Sequence, residues 1–200
     1  MQKERQRVIA IVVSVRSHYR RDEYDPDEET ICESCLNHSS EKKYLDRLKC
    51  EELKDVVLEG KRVENIFGKL DPKTIHLINP SDSQVYETFT RLEVRVRNCP
   101  DSIVLFCYNG HGVEFKDSLH ALLTEGSIRT LFPMEKKLNT LGKATNVFAL
   151  FNCNRMIAYG EKLRKPRPDL YTRESRVNFL YASRVGDDYR EHNLAKAYYT

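Results

Sequence analysis

Two side chains in this sequence are of the types, and at the positions, that acyl transfer requires. His111 follows the apolar run Ser102-Ile103-Val104-Leu105-Phe106-Cys107-Tyr108 and stands between Gly110 and Gly112. Cys153 follows Asn146-Val147-Phe148-Ala149-Leu150-Phe151 and stands between Asn152 and Asn154. A thiol is a good nucleophile only as the thiolate, and a neighbouring imidazole can take its proton. The developing oxyanion needs donors, and backbone N–H groups in a glycine-rich turn suit that task. The natural donors are the N–H groups of Gly112 and Cys153. The plain alternative is a buried core thiol and a satisfied turn histidine.

The two runs that deliver these residues are continuous rather than alternating, the pattern of strands buried on both faces of a parallel sheet. In such sheets chemistry collects at the carboxyl ends of the strands. The remaining elements fit the same plan. Arg7 to Val15 reads as a first buried strand. A helix over about Glu51 to Leu70 carries Val56, Gly60, Val63, Phe67 and Leu70 on one face and stops at Asp71-Pro72. Thr74 to Ile78 is a second strand. Asn79-Pro80-Ser81-Asp82 turns the chain into a second helix reaching about Arg97, with Val85, Phe89, Leu92 and Val96 as its buried stripe. Ser102 to Tyr108 is the third strand, and Phe115 to Thr124 could hold a small hairpin. Pro133 opens a third helix ending near Leu141-Gly142. Asn146 to Phe151 is the fourth strand and Val177 to Ala182 the fifth, with a short helix from about His192. Alternating strands and helices imply a mostly parallel sheet covered on both faces.

The 200 residues suit one domain, with residues 16–50 as an inserted polar loop rich in acids. Apolar content is 40%, charged content 32% and net charge +3. This balance demands neither nucleic acid nor a membrane as partner, and no apolar stretch approaches the roughly 20 residues that span a bilayer. Val8 to Val15 is too short for a good signal peptide. Six cysteines are too sparse for a disulfide scaffold, so a reducing, cytoplasmic setting is expected. Cys32-Glu33-Ser34-Cys35, with His38 and Cys50, has zinc-like spacing at its first pair, but a second pair is missing. It is read as a reduced loop, and no metal or cofactor is expected.

The segment Tyr108-Asn109-Gly110-His111-Gly112 resembles the strand and Ser-Gly-His-Gly turn of the caspase-like cysteine peptidases, which include caspases, metacaspases and paracaspases. The strand ending at Cys153 stands where their nucleophile strand stands. The two residues are 42 positions apart, near the roughly 50 of caspases. Asn178 to Gly186 is similar to the strand that opens the small subunit of caspases. The resemblance implies a caspase-like α/β/α sandwich with a mostly parallel central sheet. It divides the chain into a large-subunit-like part (1–153), a linker loop (154–176) and the start of a small-subunit-like part (177–200). It further implies a thiol endopeptidase acting on protein or peptide substrates, in proteolysis of the apoptotic kind, with His111 as base and Cys153 as nucleophile.

The departures are equally specific. Caspases carry Gln-Ala-Cys-Arg-Gly around the nucleophile, and metacaspases an Asp two residues before it. With Cys153 as that cysteine, Phe151 replaces the polar pocket residue. Asp187 and Asp188, or alternatively Arg190, are the remaining pocket candidates. The family's sixth strand has no counterpart here, so the expectation is either a truncated chain or a sheet edge covered by another chain in a homo- or hetero-oligomer. An inactive interaction module built on the same fold is the competing reading.

Overall fold

The computed structural model describes residues 7–16, 53, 55–99, 101–115, 118–125, 128–157 and 176–182. They form an α/β structure with one seven-stranded, mostly parallel sheet. The strands are β1 (Val8–Ser14), β2 (Ile75–Ile78), β3 (Ile103–Phe115), β4 (Ser118–Glu125), β5 (Ile128–Phe132), β6 (Asn146–Ile157) and β7 (Val177–Tyr181). Three helices accompany them: α1 (Val56–Phe67), α2 (Asp82–Asn98) and α3 (Met134–Gly142).

β3 is the organising strand. β6 pairs with it in parallel along its length, from Ile103 opposite Asn146 to Glu114 opposite Ile157. Its other edge is shared. β1 pairs in parallel with Ile103 to Asn109, and β4 then takes over antiparallel, with Gly112 opposite Ala121. β2 extends the sheet beyond β1, β5 beyond β4, and β7 beyond β6.

Alternation along β1 assigns the faces. Ile9, Ile11, Val13 and Val15 enter the main apolar core, together with Val104, Phe106 and Tyr108 of β3 and Val147, Ala149 and Phe151 of β6. The stripe Val85, Phe89, Leu92 and Val96 of α2 and Met134, Leu138 and Leu141 of α3 cover this face. α2 starts cleanly because Ser81 caps it: its hydroxyl accepts from the Gln84 N–H at 3.2 Å while the Gln84 side chain accepts from the Ser81 N–H at 2.9 Å. α1 packs on the opposite face, where Gly60 brings it against Ser14 and His76.

The buried stripe of α2 coincides with the sequence expectation residue for residue. Other elements differ. β3 and β6 run past Tyr108 and Phe151, so Asn109-Gly110-His111-Gly112 and Asn152-Cys153-Asn154-Arg155 lie within strands rather than in turns. β4 and β5 enlarge the expected hairpin into a two-strand extension. α1 is shorter than expected, and Leu70, placed on its buried face by spacing, lies beyond it and is exposed. The polar insertion after Arg16, with Cys32, Cys35, His38 and Cys50, lies outside the described residues. So do linker residues 158–175, the late helix, Asp187, Asp188 and Arg190. Among the described residues no helix is long and apolar enough to cross a membrane.

Candidate functional site

Three adjacent strands carry a buried polar residue in matching positions: Ser14, which ends β1, lies opposite Asn109 within β3, and Asn109 lies opposite Asn152 within β6. Ser14 and Asn109 are wholly buried and Asn152 nearly so. Buried polar groups are costly unless hydrogen-bonded, and these are joined to one another and to α1. The Asn152 amide donates to the Asn109 Oδ1 at 3.0 Å and to the Glu59 Oε2 at 2.7 Å. The Asn109 amide reaches the Ser14 Oγ at 3.4 Å. The Ser14 Oγ meets the His76 Nε2 at 2.9 Å, and the His76 Nδ1 meets the Glu64 Oε2 at 2.8 Å. One chain of polar contacts thus runs from Glu64 to Glu59 across four strands and fastens α1 at two points.

The Ser14–His76–Glu64 part has the spacing of a hydrolytic triad, and such triads are identified by geometry. Access decides against that role. Ser14 has no exposed surface. Gly60 of α1 packs so closely over it that a Cβ there would lie 2.0 Å from the Ser14 Oγ and 2.7 Å from the His76 Nε2. An acyl group has no room above the hydroxyl, and the arrangement is a fastening for the helix. Beside it, burial pushes the Cys107 thiol up to about 12; the Asn109 hydrogen bond opposes this and the charge of Glu59 adds to it. Cys107 is therefore an unreactive thiol.

His111 and Cys153 lie on neighbouring strands at the carboxyl end of β1, one register step apart. Cys153 is opposite Gly110, and His111 is opposite Asn154. In a regular ladder side chains that share a face are register partners, so a one-step offset puts two side chains on opposite faces. Cys153 is fully buried and continues the apolar face of Ala149 and Phe151 as part of the main core. His111 is 4% exposed. Its carbonyl accepts from the Tyr108 hydroxyl at 2.8 Å. That hydroxyl lies over Gly110, where an added Cβ would be 2.7 Å away, so glycine is required here by the close approach of a ring.

Two expectations are revised by this geometry. The glycines do not form an open turn around an oxyanion: Gly112 stands between paired strands, opposite Ala121 on one side and Arg155 on the other. Phe151 does not wall an open pocket. It has no exposed surface and stacks on Tyr181 at 5.3 Å between centroids, with Phe106, Tyr108 and Phe179 around it. The polar chain centred on Asn109 and Asn152 was not anticipated. Its signal was available as a polar residue terminating each of three apolar runs. Comparison with known proteins adds no identification: no protein-family model matches the chain, and no curated protein matches it.

Proposed function

We propose that this chain is a caspase-like α/β domain that acts as a protein-interaction module without peptidase chemistry of its own. The observation that carries this reading is the register of β3 against β6. The residue matched with His111 is Asn154, while the thiol of Cys153 is matched with Gly110 and fully buried. A carboxamide is not a nucleophile, and a fully buried thiol is inaccessible to a substrate. The motif Gln-Ala-Cys-Arg-Gly agrees with this register when set one residue along: its Cys-Arg then falls on Asn154-Arg155, and its polar pocket residue on Asn152.

A sheet edge left unpaired among the described strands supports the binding role. Among the described strands β7 pairs with β6 alone, and Phe148 and Leu180 beside that edge are 47% and 59% exposed. An unpaired strand flanked by apolar side chains is a natural template for a protein partner.

The second reading is a cysteine endopeptidase with His111 as base and Cys153 as nucleophile. It is favoured by the delivery of both residues to one end of adjacent parallel strands. A peptidyl electrophile separates the two. The interaction-module reading expects no adduct at Cys153 in the folded protein and a gain of labelling in Asn154→Cys. An adduct at Cys153 that disappears in His111→Ala would overturn it in favour of the peptidase.

A further inference from the structure

A basic hollow opens at the amino-terminal end of β1, the end of the sheet away from His111 and Cys153. Its volume is about 430 Å³, and it is lined by Arg7, Val8, Asp71, Pro72, Lys73 and Arg95. The side chains converge from three separate elements: the start of β1, the turn before β2 and the last turn of α2. Such a convergence of three cations has an electrostatic cost unless an anion offsets it.

The local acid does not supply that offset by pairing. Asp71 is buried, and its oxygens are turned to the backbone: Oδ2 accepts from the Ala10 N–H at 3.1 Å and Oδ1 from the Lys73 N–H at 3.0 Å. Among the described residues none of Arg7, Lys73 and Arg95 forms an ion pair. Arg7 is held in place by donating from Nη1 to the Cys99 Sγ at 3.3 Å, which ties it to the residue that ends α2. A basic residue in the last turn complements the negative end of a helix, which accounts for Arg95 alone. It does not account for Arg7 and Lys73 lining the same hollow.

We infer that this hollow binds the phosphate end of a small phosphorylated ligand of about nucleotide size. Two guanidinium groups suit the paired oxygens of a phosphate, and an ammonium adds a mobile point charge. The volume lies in the range of small-molecule clefts. Val8 and Pro72 give the organic part an apolar wall. Three basic residues against one acid, Asp71, around one opening favour a group carrying two negative charges over a single carboxylate. The site is about 20 Å from the strand ends that carry Ser14, by the rise of β1, and does not depend on the reading of His111 and Cys153.

Calorimetric titration of the full chain with pyrophosphate and with ADP tests the inference, with sodium chloride and sodium sulfate at matched ionic strength as controls. Saturable binding of pyrophosphate or ADP is expected. Arg95→Gln and Lys73→Gln should each weaken it roughly tenfold, the scale of one charge-assisted hydrogen bond. Equal affinity for the two ligands would identify the diphosphate as the whole determinant, and tighter ADP binding would add the apolar wall; either supports the site. Lys73 is exposed and Arg95 half-buried, so both variants should melt, without ligand, at the temperature of the parent chain. Absence of saturable binding, affinities unchanged in the two variants, or an equal response to sulfate would overturn the inference.

Discussion

The carboxyl end of this sheet has two faces built from the same strands on opposite principles. On one, Phe106, Tyr108, Phe151, Phe179 and Tyr181 gather into an aromatic cluster that takes in Cys153. On the other, Ser14, Asn109, Asn152 and His76 form a polar chain closed at both ends by carboxylates of α1. The apolar face is stabilised by burial, which is non-directional and tolerates adjustment. The polar face depends on partners at fixed distances, and loss of one strands another. The difference teaches that proximity along the backbone is not sufficient for chemistry. His111 and Cys153 are one step apart in register, and that single step divides the faces of a regular strand pair.

The comparison can be broken most forcefully at Phe151. Phe151→Ala should cost about 3–5 kcal/mol, the usual result of removing a buried ring, read from denaturant unfolding. A cost below about 1 kcal/mol would mean that the aromatic face is not packed as described. Gly60→Ala is next. Its Cβ meets the Ser14 Oγ and the His76 Nε2, so a loss of about 1–3 kcal/mol is expected, the scale of overpacking. A Ser14→Ala background should reduce that loss, and strict additivity of the two changes would refute the close approach.

Alkaline pH sharpens the comparison from within. The Cys107 thiol is lifted from 9.0 to about 12 in the folded state. Below pH 9 both states keep the proton and its contribution is complete. Above it the unfolded chain ionises first, so stability falls until about pH 12. The slope should reach about 1.4 kcal/mol per pH unit relative to Cys107→Ala, in unfolding curves taken at successive pH values. Equal slopes would show that the thiol is not sealed. The smallest effect expected is that of Asn152→Ala, about 1 kcal/mol for the lost donor. It should leave Cys153 as unreactive toward iodoacetamide as in the parent chain. Exposure of Cys153 in this variant would mean that the two faces are not independent.

Periodicity and apolar runs made most of the architecture readable. The stripe of α2 follows from spacing alone, and the buried strands follow from runs such as Val8 to Val15 and Asn146 to Phe151. The continuation of β3 through Asn109-Gly110-His111-Gly112 was not readable, because glycine marks turns as readily as close approaches. Only the Tyr108 ring above Gly110 and the strands on either side explain why the chain stays extended there. β5 was missed because Ile128 to Phe132 is short and takes its meaning from β4. The polar chain was missed for a different reason: its contacts reach residues as far as 93 and 95 positions apart, as from Glu59 to Asn152 and from Ser14 to Asn109. Local pattern marks the polar residues themselves but not which of them pair.

The shared edge of β3 also bears on how the chain reaches this structure. β1, β4 and β6 each need β3 as their neighbour, and β3 begins at Ile103. A ribosome adding about 5–20 residues per second therefore presents β1 for several seconds before the strand that joins it to the rest is available. During that interval the apolar edge of β1 has no native partner on its β3 side. Early folding of this chain is a matter of waiting with that edge unpaired, a circumstance in which a chaperone would bind the amino-terminal hundred residues more readily than the completed sheet.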